Sequence, residues 1–130
     1  MPGPNYVLDK GYVIDAASNI FKAQKMQSTK EHVTECTTLN DATIGILQET
    51  VSATDAGKRV ASVRIEGISR CIASAAISIG QGVRATTAGK MVALAATTAK
   101  QNQVGIAQTA AAADGDHFDV LLTPGVSVDT

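Results

Sequence analysis

The sequence predicts an all-β protein: a compact β-barrel or sandwich built from two tandem pseudo-symmetric β units, with an extended N-terminal arm. Three observations predict it: an apolar composition almost without aromatic residues, stretches in which apolar and polar residues alternate, and a set of short motifs that occurs twice. Hydrophobic residues make up 45% of the 130, yet Trp is absent and Phe and Tyr number two each. The core must therefore come from Val, Ile, Leu, Met and Ala, which fill closely stacked strands better than they wall a large ligand cavity. The length suits one domain with one core.

The chain begins with an arm, residues 1–10, in which Pro2 and Pro4 favour extended backbone. A frayed terminus is the alternative. No basic start followed by an apolar run is present, so a signal peptide is not expected. Residues 11–130 are expected to form a single all-β domain, internally duplicated at about 11–69 and 70–127. The duplication rests on Ile44-Gly45-Ile46-Leu47-Gln48, which returns as Val104-Gly105-Ile106-Ala107-Gln108. Asp55-Ala56-Gly57 is answered by Ala113-Asp114-Gly115. Less closely, Ile20 to Met26 is set over Ile77 to Val83, and His32-Val33 over Met91-Val92. Val60, Val63, Gly67 and Ile68 are likewise set over Phe118, Leu121, Gly125 and Val126. Two copies are too few for a solenoid.

Within the copies, Val63 and Ile65 alternate with Arg64 and Glu66, the period of a half-buried strand. His117 onward alternates in the same way and is expected to end at Pro124-Gly125, because Pro cannot donate to a ladder. Thr87-Ala88-Gly89-Lys90-Met91 reads as a hairpin turn. The alanine-rich pieces 93–99 and 109–113 are expected to hold no more than one helical turn each.

The net charge is −1 and evenly divided along the chain, so no basic stripe predicts nucleic-acid binding. The apolar run 68–79 is interrupted by Arg70 and serines and cannot span a bilayer as a helix. Histidines occur only at His32 and His117, neither with a second ligand at metal spacing. Cys36, opposite alanines of the second copy, and Cys71, opposite an aliphatic of the first, read as small buried hydrophobes. The acidic run Asp114-Gly115-Asp116-His117-Phe118-Asp119 is either a plain hairpin turn or a calcium loop, although it lacks the distal glutamate of the EF-hand. Gly80-Gln81-Gly82 and Gly89-Lys90 do not meet the spacing of a phosphate-binding loop. No catalytic, cofactor-binding or metal-binding residue is assigned, and an enzyme is not expected.

Three stretches carry a resemblance: Ala75 to Val83, Asn102 to Gln108, and Asp114 to Asp116 continuing through Val120 to Gly125. Asn5-Tyr6-Val7 and Ile20 to Met26 add to it. With these the chain resembles the small capsid decoration, or cement, proteins of tailed bacteriophages, departing at Ala23 where the family prefers Gly. The resemblance implies an all-β body without cofactors that is made in the host cytoplasm and carried on the outer face of the virion. There it would bind the major capsid protein and stabilise the head. It also implies self-association, commonly as a homotrimer, with a dimer as the alternative. Pro2, Pro4, Asn5, Tyr6 and Val7 are the expected capsid contacts, through an arm laid along a capsid strand. Two other classes compete. A barrel-sandwich carrier similar to lipoyl or biotinyl domains would display Lys90 at a hairpin tip. A virion-borne or extracellular adhesion module would need exposed aromatic faces, for which only Tyr6 and Tyr12 are available.

Overall fold

The computed structural model describes residues 6–129, with side chains except at 97, 98 and 126–129; Met1 to Asn5 lie outside it. Ten strands account for the fold: β1 (Leu8–Ile14), β2 (Ala23–Met26), β3 (His32–Glu35), β4 (Thr43–Leu47), β5 (Val60–Glu66), β6 (Ile68–Ile72), β7 (Gly82–Ala85), β8 (Met91–Ala93), β9 (Thr97–Ala107) and β10 (His117–Asp129). The helical element among the described residues is a single 3-10 turn at Thr87–Gly89. The alanine-rich pieces are thus not α-helical: β8 ends in the first of them and β9 begins in it.

Strands β1 to β5 close into a barrel in the order β1-β3-β2-β4-β5. Its apolar core is formed by Tyr12, Ile14, Val33, Leu47, Val51, Ala61 and Val63, with the polar Gln24 and Ser18 also buried. Strands β6 to β10 form a second sheet in the order β6-β10-β9-β7-β8. A parallel bridge between Ala73 and Met91 brings the two ends of this sheet together. Read as rings, β1-β5-β4-β2-β3 and β6-β10-β9-β7-β8 are the same arrangement.

Matching hydrogen bonds fix which residues correspond. The amide of Phe21 donates to the Leu47 carbonyl at 2.8 Å, as Gly80 does to Ala107. Gly57 donates to the carbonyl of Ile14, as Gly115 does to Ala73. The bridges Ser18 to Val51 and Ile77 to Ala111 agree. These bonds keep Ile46 over Ile106 as the motif suggested, but correct the weaker pairings. Ser18, not Ile20, corresponds to Ile77. Val33 corresponds to Met91, and Ala61 and Val63 to Phe118 and Val120. The slips of one and two residues arise in the connecting turns, where backbone length is not held by a ladder.

Other expectations also change. Leu8, Asp9 and Lys10, counted with the arm, pair with β5 as the start of β1. Pro124 does not end its strand. The pairing of β10 with β9 steps from Leu122↔Gly105 to Gly125↔Gln103, so Thr123 and Pro124 share a bulge opposite Val104. A bulge releases the proline from donating. Cys71 corresponds to Tyr12, not to an aliphatic residue. Tyr12 pairs with Ala61 while Cys71 pairs with Phe118, so large and small partners change strands between the units and each core stays filled.

The second core crosses the unit boundary. It joins Val83, Met91, Val104, Phe118, Val120 and their neighbours in the second sheet to Ala23, Cys36 and Ile46 on the outside of the barrel. Loop 36–42 strengthens the join. The Asn40 amide donates to the Ala85 carbonyl at 2.9 Å, its side-chain oxygen accepts from the Asn102 amide at 2.7 Å, and its carbonyl accepts from Asn102 Nδ2 at 2.8 Å.

Candidate interaction surface

The polar residues marked for chemistry in the sequence are engaged in holding the fold. His32 Nδ1 lies 2.6 Å from Asp15 Oδ1, linking β3 to the end of β1. His117 packs edge-on against Phe21, with ring centroids 5.7 Å apart and planes at 78°. In the acidic turn, Asp116 Oδ2 accepts the amides of Ala112 and Ala113 at 2.9 and 3.1 Å. Asp114 accepts from Lys90 Nζ at 2.8 Å; that hydrogen bond and the charge of Lys90 lower its pKa. Among the described residues no three His, Cys, Asp or Glu side chains gather as a metal cage. Cys36 and Cys71 are free and buried. Burial pushes the Cys36 thiol up to about 11 and raises that of Cys71 further, so neither is a ready thiolate at neutral pH.

Lys90 does not stand at a projecting tip. The turn before it is tied to the barrel, with Gly89 buried and its amide donating to Cys36 at 2.9 Å, and the Ala88 carbonyl accepting from Lys22 Nζ at 2.7 Å. Of the other surface bases, Lys25 pairs with Asp41 at 3.1 Å and Arg59 with Glu49.

A narrow, partly open cleft between the two units has a volume of about 10 Å³, at most the room of one water, and is lined by Ile44, Gly45, Ile65, Val104, Leu122 and others. The depressions beside Met26 and Asp41, and beside Ser18 and Glu35, are open to solvent.

Two exterior features stand out. The first is the root of the arm. Tyr6 is 83% exposed, and Val7 and Leu8 are exposed beside it. This segment crosses directly over Gly67, the residue between β5 and β6. A methyl group at Gly67 would collide with the Tyr6 carbonyl and the Val7 side chain. Gly67 also has φ +99°, a conformation that side chains disfavour. Tyr6 and Val7 are thus solvent-facing and anchored at their base, while Pro2, Pro4 and Asn5 fall outside the described residues. The second feature was not found from the sequence: Val60 on the barrel, Ile106 and Leu121 on the second sheet, and Ile79 in the turn before β7 are exposed aliphatics. The signal was present in the repeat, since Ile106 copies Ile46, but a sequence does not say that one copy is covered and the other bare.

No family model matches the sequence, and no curated protein matches it. The fold itself has a solved counterpart. The head fiber gp8.5 N base of bacteriophage phi29 superposes with a TM-score of 0.65 over 91% of this chain and 95% of that one, at 11% sequence identity. The chain shares its fold with that phage head fiber base.

Proposed function

We propose that this chain is a non-enzymatic structural virion protein that binds the outer surface of the major capsid protein lattice and stabilises the phage head. The observation that carries this reading is the fold, shared over nearly its whole length with the base of a phage head fiber. The tight interior supports it, as does the use of the polar side chains inside turns and between strands. Such a protein works by its outside. A clamp bridging neighbouring capsid subunits stabilises only the assembled lattice, because its binding surface exists only there. Several modest contacts held by one oligomer reinforce each other through effective concentration.

The arm is the proposed capsid contact, with Pro2, Pro4, Asn5, Tyr6 and Val7 laid extended along a capsid strand. Its base rests on Gly67 and its exposed Tyr6 offers a large apolar ring with a polar tip. Deletion of residues 1–6 leaves β1 intact. The truncated protein is expected to keep the circular dichroism spectrum and melting temperature of the full chain, yet to co-sediment poorly with intact heads. Retention on heads equal to that of the full chain removes the arm from the interface. Failure of the full chain to bind heads at all overturns the proposed function.

A further inference from the structure

The two units are alike in topology but differ in what covers them. In the first unit, the outer face of β2 and β4 is buried: Ala23, Cys36 and Ile46 are all 0% exposed, within a core otherwise drawn from the second unit. What seats there is the turn Thr87–Gly89 and His117. Gly89 bonds to Cys36 and lies against Lys22, Ala23 and Glu35, while His117 meets Phe21. The matching face of the second unit consists of Gly80, Gln81 and Gly82 with Leu94 and Ile106. Gly82 and Ile106 pair as Ala23 and Ile46 do. Leu94 donates to Gly82 as Cys36 does to Ala23. Among the described residues, nothing covers Ile106 on this face as Ile46 is covered. Ile106 is 36% exposed, and Ile79 and Leu121 beside it are also exposed, Ile79 by 70%.

The matching covering surface faces solvent as well, with Glu31 paired to Lys10 at 3.1 Å along its side. The turn Thr87–Gly89 corresponds to Thr29–Glu31. Lys90 donates to Thr87 as His32 donates to Thr29, and Gly89 and Glu31 share a φ of +65°. His117 corresponds to Val60, which is 62% exposed. Each copy thus carries an unused socket on its second unit and an unused plug on its first, the two halves of a contact that it already makes internally. The sizes also compensate. Where Gly89 approaches Glu35, the plug brings Glu31 towards Ala93, the residue corresponding to Glu35: a large and a small residue are exchanged across the contact.

From this we infer that a second copy of the chain docks head to tail, with Val60 and the turn Thr29–Glu31 of one copy covering Gly82 and Ile106 of the next. Such a contact is heterologous. It closes into a ring or runs on as an open array, and each copy must supply two different faces. Neither face includes the proposed arm contact, so the association is measurable on the free protein whether or not it binds heads.

The test is sedimentation velocity with light scattering on the wild type, Ile106→Glu and Val60→Glu over a concentration series. Both substituted residues are exposed, and unchanged circular dichroism establishes that each variant folds. The wild type is expected to associate beyond a monomer. Each variant should do so at least about tenfold more weakly, because a charge would enter an apolar contact. The mixture decides the geometry. Equimolar Ile106→Glu and Val60→Glu, each retaining one intact face, should form one-to-one dimers and nothing larger. A monomeric wild type at all concentrations overturns the inference. So does undiminished assembly of either variant, or a mixture that stays monomeric.

Discussion

Gly45 and Gly105 stand at the same place in the repeated motif, and each has the same neighbour problem. A methyl on Gly45 would strike the carbonyl oxygen of Arg64, and one on Gly105 would strike that of Leu121. The obstacle is backbone in both cases and cannot rotate away. Gly105→Ala is therefore expected to lower stability by roughly 1–3 kcal/mol, the cost of forcing volume into a packed site, and Gly45→Ala by a similar amount. Urea unfolding of the two variants checks this, and a midpoint equal to wild type for either would contradict it. The motif was legible because close approach of two strands demands the residue without a side chain. The burial of Cys36 and Cys71 was legible from their chemistry, as small apolar side chains without a neighbouring base. That Cys71 lies opposite the large Phe118 was not, because partner size depends on register.

Loop 36–42 joins the units, and its shape depends on Asp41. Burial works against a charged Asp41. The hydroxyl and amide of Thr38, the amide of Thr37 and Lys25 outweigh it and hold the carboxyl well below the usual carboxylate range. Because the folded pKa is lowered, this stabilisation is complete above the unfolded value of about 3.9 and is lost as pH falls through the folded one. The stability difference between wild type and Asp41→Asn should accordingly be flat from neutral pH to about 5 and shrink below about 4. Unfolding midpoints across that range measure it, and a difference that changes between pH 6 and 8 would assign the effect to another group. The units also differ in where their buried polar groups lie. Gln24 donates to Ser18, which donates to Glu35, at 3.0 and 2.9 Å. The corresponding residues are Ile77, Val83 and Ala93. The sequence comparison missed this contrast because it set Ile20, not Ser18, over Ile77.

At the scale of the whole molecule, the cores are unequal. The barrel interior is drawn entirely from the first unit, whereas the second core needs Ala23, Cys36 and Ile46 from its neighbour. We propose that 8–129 folds as one cooperative domain and that the second unit is the dependent half. Ile46→Ala, made in the shared core, is expected to cost about 2–5 kcal/mol and to lower a single melting transition for both units together. Two separated transitions by calorimetry would show independent domains.

The sequence by itself determined the all-β class, the strand-forming alternation and the central pair of motifs, because these depend on local periodicity and on glycine where backbones approach. Scattered short stretches also carried the resemblance to phage decoration proteins, on which the proposed function draws. Only the tertiary structure decided the register of the weaker repeats, the passage of β10 through Pro124, and the start of β1 at Leu8. It alone distinguished Ile46 from Ile106. The two residues have similar neighbours along the chain and opposite surroundings in space, because the second unit lies against Ile46 and, among the described residues, nothing covers Ile106 in the same way.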